Sequence, residues 1–485
     1  MEQLYFRGRR EEKIFRRLTG RQGFIVIKVF NHWFHRKTVA QIAIDLMFPV
    51  LCVMLAALWI GRGGQLVLEK VAFYGVIFAL TMIVLNAWLG IYRRDHGRTR
   101  DETRARAVLS LYLAIPLAYV VFALLSVAEV DRGFMLLSGL GALFATLVHH
   151  VHSAHSGKGS MLRHRVLVFG VGEESQAVSG VLRKYDPDIE IVGFYPGVGE
   201  TEYAVPSQSV LSSEVSLSDT AHNLKVDEII VAVRERRGGV LPLRELLDCK
   251  LSGVRVLDLA SYFERALGQI RLDSLRVGWL IFGEGFRQSW RRASVKRLSD
   301  IMLATIMLIL ALPIMLLTAI MIVLENGFPI FYKQERVGLD GRLFKVVKFR
   351  SMRTDAESDG KPRWASADDD RVTRVGRFIR KVRIDELPQL YNVLLGDMSL
   401  VGPRPERPYF VDKLTRDIPF YAVRHSVKPG LTGWAQVSYP YGATVDDSIQ
   451  KLQYDLFYVK NHTLFLDILI LFQTVGVVLT GKGAR

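Results

Sequence analysis

The sequence predicts an α/β membrane protein: four N-terminal transmembrane helices, a Rossmann-like parallel-sheet domain, a re-entrant helix, and a mainly helical α+β domain held at the membrane. Three observations carry this. Apolar residues make up 50% of 485, and the mean hydropathy is +0.19, high for a soluble protein. Four apolar runs stand in succession near the N-terminus, over about residues 39–60, 71–92, 107–127 and 133–151. Strand-like and helix-like stretches then alternate over about 163–292, before a fifth apolar run at about 301–324.

Each of the first four runs is near the ~20 residues that cross a bilayer as a helix. The link between the second and third carries Arg93, Arg94, Arg98, Arg100, Arg104 and Arg106, while the other links are short and poor in positive charge. By the positive-inside rule both ends of this unit, residues 39–153, face the cytoplasm. Residues 1–38 form a basic cytoplasmic segment; the first apolar run starts too late and is too long for a cleaved signal peptide. His149, His150, His152 and His155 end the fourth run, and an interfacial helix end is favoured there over a metal site. Cys52 and Cys249 are the only cysteines, so no disulfide framework is expected. The net charge of +16 suits anionic membrane lipid and phosphate-rich substrates; no nucleic-acid motif is present, so no nucleic-acid partner is expected.

In the 163–292 region, Arg165 to Ser175 reads as strand, glycine turn and helix start, with further strands at Val226–Val233 and Val254–Asp258. Gly170 and Gly172 match two positions of the dinucleotide fingerprint, and Ser175 occupies the third. A fold kept for regulation or assembly is therefore favoured over cofactor binding, and no cofactor-binding residue is assigned. The fifth run has clustered Lys and Arg on both sides, and Pro313 stands near its middle. A helix over 298–324 that breaks at Pro313 and returns to its own face satisfies both flanks; a kinked spanning helix is the alternative. Near the C-terminus, Phe465–Leu479 is apolar but short, and suits the membrane interface.

Phosphoryl chemistry is concentrated in 294–485. Asp385 and Glu386 precede Pro388, which suits a first helical turn, where backbone N–H groups stabilise anions. One carboxylate can attack phosphorus while its neighbour holds a divalent cation. Lys348 and Arg350 lie two apart on an extended segment. Arg404 is fixed between Pro403 and Pro405, and its planar fork suits phosphate. A rigid glycine-rich loop runs from Lys428 to Gln436. Together these supply a nucleophile, a metal ligand and phosphate clamps.

Lys348-Phe-Arg-Ser-Met352, Arg371–Arg377, Asp385-Glu-Leu-Pro-Gln389, Ser399–Pro405 and Lys428–Trp434 closely resemble, in the same order, the bacterial sugar transferase family of polyprenol-phosphate hexose-1-phosphate transferases. The four helices and the sheet domain resemble its long-form members. Ser261–Arg265 and Gly278–Phe282 resemble the subgroup associated with exosortase systems. The resemblance implies Asp385 as nucleophile, Glu386 as the Mg²⁺ ligand, and Arg380 and Arg404 as phosphate-binding residues; Lys348, Arg350 and Gln436 are expected on the substrate side. Arg383-Ile384 departs from the Ser-Leu of many members, and no role is carried to it. The implied reaction moves hexose-1-phosphate from a UDP-hexose to undecaprenyl phosphate at the cytoplasmic face of the bacterial inner membrane, and a homodimer is a further expectation. Two other classes are weighed. A sugar-nucleotide dehydratase or epimerase would need a full glycine fingerprint and a Tyr-x-x-x-Lys pair. A non-catalytic assembly scaffold would release no UMP.

Overall fold

The computed structural model describes residues 26–29, 32–59, 65–88, parts of 109–117, 164–185, 189–200, 203–233, 241–273, 275, 285–286, 289–353, 371–439, 442 and 444–480. The chain divides into two compact units between Tyr262 and Phe263, with a short segment at Phe30–His32 grouped with the second.

The first unit opens with two short paired strands, β1 (Val26–Val29) and β2 (His32–His35), and two helices, α1 (Arg36–Trp59) and α2 (Gln65–Trp88). The helices pack closely: a Cβ on Gly75 would sit 3.0 Å from the Val50 Cα. Asn86 donates to Asp45 at 2.9 Å and accepts from Ser110 Oγ at 2.6 Å, so the polar atoms in this apolar pair satisfy one another. The first two expected spans are thus helical. Most of the third, all of the fourth, the arginine-rich link and the histidine cluster lie outside the described residues. Among the described residues, the one helix long and apolar enough to cross a membrane is in the second unit.

The rest of the first unit is a four-stranded parallel sheet, in the order β4-β3-β5-β6: β3 (His164–Phe169), β4 (Ile189–Tyr195), β5 (Glu228–Val231) and β6 (Arg255–Asp258). Helices α3 (Glu173–Tyr185), α4 (Leu217–Asn223) and α5 (Leu243–Leu251) connect its strands. β3 and β5 are buried on both faces, as parallel strands under crossover helices must be. Strand β4 was not anticipated; Gly193 interrupts its apolar pattern because Leu211 packs where a Cβ would stand. The glycine turn is shaped by packing. Gly170 has φ +120°, and a Cβ there would meet the Ala232 carbonyl at 2.7 Å. The turn's Val171 N–H is already bonded to the Glu200 carboxylate at 3.0 Å, as is Gly197 N–H at 2.9 Å.

The unit boundary falls within α6 (Leu259–Leu267), and the second unit goes on to α7 (Trp290–Asn326), a 37-residue helix. The chain stays helical through Pro313, so the expected break is instead a proline inside one helical element, lacking one N–H in its ladder. An antiparallel pair follows, β7 (Phe331–Val337) and β8 (Leu343–Phe349). Short helices α8 (Arg374–Lys381), α9 (Gln389–Leu395), α10 (Pro408–Asp417) and α11 (Trp434–Ser438) surround a short parallel pair, β9 (Ser399–Val401) and β10 (Gly430–Thr432), and α12 (Val445–Asn461) and α13 (Leu464–Thr480) close the core. Leu390, Val393, Leu400, Leu456 and Tyr458 form its centre. The C-terminal apolar run joins that core through Leu466 and Ile470, so it does more than rest on an interface.

Candidate active site

Asp385 and Glu386 occupy a 3₁₀ turn, Ile384–Glu386, that continues through Leu387 and Pro388 into α9. Both are buried, each about 8% exposed, which is rare for carboxylates without partners. The turn is entered through Arg383 at φ +60°, a left-handed conformation uncommon outside glycine and asparagine.

The two carboxylates have different surroundings. Glu386 Oε1 accepts from Arg404 Nη2 at 2.7 Å and from Lys348 Nζ at 2.9 Å, with Arg383 Nη1 3.9 Å away. Burial alone would raise its pKa, but the charges of Arg404 and Lys348 outweigh this and hold it well below the usual carboxylate range. Asp385 is pushed up to about 6, by burial first and then by the charge of Glu386. Lys348 is lowered by burial, against the opposing pull of Glu386 and Asp385. Two carboxylates beside three cations leave the site net positive, an arrangement suited to phosphate.

Each cation is held by its own scaffold. Lys348 lies near the end of β8, and Asn392 fixes that strand to α9: it donates to Lys345 O at 2.9 Å and accepts from Val347 N–H at 3.0 Å. Arg404 follows β9. Its carbonyl accepts from Arg424 Nη2 at 3.0 Å, and Arg424 is itself buried against Asp455 at 2.8 Å and Tyr421 at 2.8 Å. Arg336 Nη1 binds Pro405 O at 3.1 Å. The glycines of these motifs permit backbone contact: a Cβ on Gly402 would collide with Lys428 O, and one on Gly433 with Gly402 O. Gly376, in the Arg371–Arg377 motif, lies against Ser351 O in the same way.

The structure brings Asp385, Glu386, Lys348 and Arg404 together. Arg350 Nη2 binds the Asn326 carbonyl at 3.0 Å, and Gly327 O as well, so it caps the end of α7, while its buried Nη1 has no hydrogen-bond partner among the described residues. Arg380 is half-buried in the last turn of α8, and the cations that act on the dyad are Lys348, Arg383 and Arg404. Gln436 packs beside its own loop, with Nε2 3.5 Å from Leu431 O. Arg383 and Asn392 were not assigned roles from sequence. Arg383 departs from the family's common residue, and Asn392 carries no reactive group.

For a divalent cation, the adjacent carboxylates of Asp385 and Glu386 are the protein ligands on offer; no group of three or more His, Cys, Asp or Glu side chains converges among the described residues. Mg²⁺ uses one or two carboxylates, with substrate phosphates and water completing its shell. The residues fit that mode, with Asp385 Oδ1 buried and without a hydrogen-bond partner among the described residues.

The family model described as bacterial sugar transferase matches residues 291–481. The chain is 46% identical over 242 residues to a UDP-N-acetylgalactosamine-undecaprenyl-phosphate N-acetylgalactosaminephosphotransferase of Aeromonas hydrophila, covering 50% of this chain and 56% of that protein. It is 41% identical over 194 residues to a UDP-glucose:undecaprenyl-phosphate glucose-1-phosphate transferase of Escherichia coli (strain K12), covering 39% of this chain and 41% of that one. To the protein of the same name from Xanthomonas campestris pv. campestris it is 30% identical over 461 residues, or 91% of this chain and 87% of that one. The chain thus spans about half the length of the first two of these relatives, and nearly all of the third.

Proposed function

The chain belongs to the bacterial sugar transferase family, and on that premise we propose that it transfers hexose-1-phosphate from a UDP-sugar to undecaprenyl phosphate, releasing UMP. The observation that carries this reading is the buried pair of unlike carboxylates: Glu386 clamped by Lys348 and Arg404, Asp385 beside it with an unbonded oxygen. Asp385 attacks the β-phosphorus of the donor, a P–O bond to Asp385 forms, and the bond to the UMP oxygen breaks with its electron pair. The lipid phosphate then attacks the same phosphorus and frees Asp385. Arg404, Lys348 and Arg383 offset the charge that gathers on the phosphoryl oxygens. When bound, Mg²⁺ would be held by Glu386 with Asp385 and would supply further charge neutralisation at the diphosphate. The lipid-linked sugar diphosphate is a starting unit for exopolysaccharide or O-antigen assembly.

A re-entrant α7 belongs to the same proposal. Its N-terminal half is tied to the second unit by Arg297 on the Leu394 carbonyl (2.7 Å) and Asp300 on Leu400 N–H (3.3 Å). Its C-terminal half is tied to that unit by Glu325, on the N–H groups of Arg374 and Val375 at 2.8 and 3.0 Å. Ile309, Leu310 and Leu312, between these attachments, are exposed and apolar.

The test is UMP release by the full chain from UDP-N-acetylgalactosamine and UDP-glucose with undecaprenyl phosphate. Asp385→Asn is expected to lower the rate roughly 10³-fold or more, since an amide is a very poor nucleophile toward phosphorus. Near wild-type turnover in that variant would remove Asp385 from the role.

A further inference from the structure

One buried polar group at the site is not used by this scheme. Gln389 stands at the start of α9 and is 4% exposed, yet its Nε2 has no hydrogen-bond partner among the described residues. The same holds for Asp385 Oδ1. The two residues are four apart on one continuous helical run, since Leu387 and Pro388 both have right-handed helical backbone. Residues so spaced stand little more than one turn apart along it. A buried donor and a buried acceptor are thus both left open beside the reacting carboxylate, although buried polar groups are nearly always bonded.

We propose that the Gln389 carboxamide donates a hydrogen bond to the phosphoryl group in transit on Asp385. The inference rests on the reading above. As the Asp385 oxygen bonds to phosphorus and UMP departs, the non-bridging oxygens carry the charge, and Nε2–H binds one of them; no proton leaves Gln389. A neutral donor suits this position. The close ion pairs are gathered on Glu386, and Asp385 has none among the described residues; a cation in place of Gln389 would form an ion pair with the nucleophile and blunt it.

Gln389→Met keeps the length of the side chain and removes the amide. Because the amide Nε2 has no partner among the described residues, the thermal midpoint of Gln389→Met should equal or exceed that of wild type, while UMP release falls about 100-fold, the scale of losing one oxyanion donor. Gln389→Glu, isosteric but acidic, should be slower still. Both are measured on the full chain with UDP-N-acetylgalactosamine, UDP-glucose and undecaprenyl phosphate, with Asp385→Asn alongside. Turnover of Gln389→Met within twofold of wild type, in a series where Asp385→Asn is inactive, overturns the inference and leaves the proposed function standing. A lowered midpoint whose loss of folded protein accounts for the lost rate also overturns it, since that marks a structural residue. Absence of UMP from wild type with either donor sinks the proposed function itself.

Discussion

Asp385 and Glu386 differ by one position in sequence and by their partners in space. Glu386 takes the cations, and Asp385 takes the cost of burial and of a charged neighbour, which sets its value at about 6. A carboxylate attacks only when ionised, so at low Mg²⁺ the rate of UMP release should fall as pH drops below about 6. Lys348→Met removes a charge that lowers Asp385, so its acid limb should move to higher pH; a limb that stays in place or moves lower would show that Lys348 does not act on Asp385. Added Mg²⁺ stabilises the ionised form and should move the limb lower. Asp385, Glu386, Lys348 and Arg404 were legible in the sequence because each is a charged group in a rigid motif. Gln389 lies within one of those motifs, but its meaning depends on a missing partner, which no motif records. Arg350 has a structural tie that its spacing from Lys348 does not announce: the end of α7 arrives beside it and takes its Nη2.

At the scale of elements, the site depends on how closely β9 and β10 approach. The strands pair in parallel, Ser399 with Gly430 and Val401 with Thr432, and the backbones continue in contact through Gly402. The obstacle to a Cβ on Gly402 is backbone on the facing segment, which cannot rotate away. Gly402→Ala should therefore lower the thermal midpoint and displace Arg404, two residues on, so that UMP release falls as well. Gly180→Ala, in a helix with nothing within 4 Å of its new Cβ, is the matched control and should leave both unchanged or raise stability slightly. Equal midpoints for Gly402→Ala and wild type would refute this account of the loop. The sheet domain was legible from its apolar runs in three of four strands. The fourth strand hid behind Gly193, whose role is to admit Leu211, a contact between segments distant in sequence. The β7–β8 hairpin was hidden in another way: β7 carries four polar residues in a row, Lys333, Gln334, Glu335 and Arg336, so it shows no apolar alternation.

For the whole molecule the decisive question is which side of the membrane each end of α7 occupies. From Asp300 to Glu325 a straight helix would rise about 37 Å, enough to cross a ~30 Å hydrocarbon core. Yet Asp300 is bonded to Leu400 and Glu325 to Arg374 and Val375, all within one compact unit. A spanning helix would place those attachments on opposite faces, and one folded unit cannot occupy both. The charge pattern agrees, with Arg291, Arg292, Lys296 and Arg297 before the run and Lys333, Arg336, Arg342, Lys345 and Lys348 after it. On the proposed re-entrant topology the exposed apolar centre around Leu310 and Leu312 would enter the membrane from one side, with Pro313 leaving the Ile309 carbonyl without its helical donor. In a chain carrying Cys52→Ser and Cys249→Ser, single cysteines at Ser294 and Ser351 should both react with an impermeant maleimide in inverted vesicles and neither in intact spheroplasts. UDP-sugars are made in the cytoplasm, so this result would also put Asp385 on the side of its donor. Labelling of the Ser351→Cys protein in spheroplasts alone would mean that α7 spans the bilayer, and that the hydrogen bonds at Glu325 do not form in the membrane-bound protein.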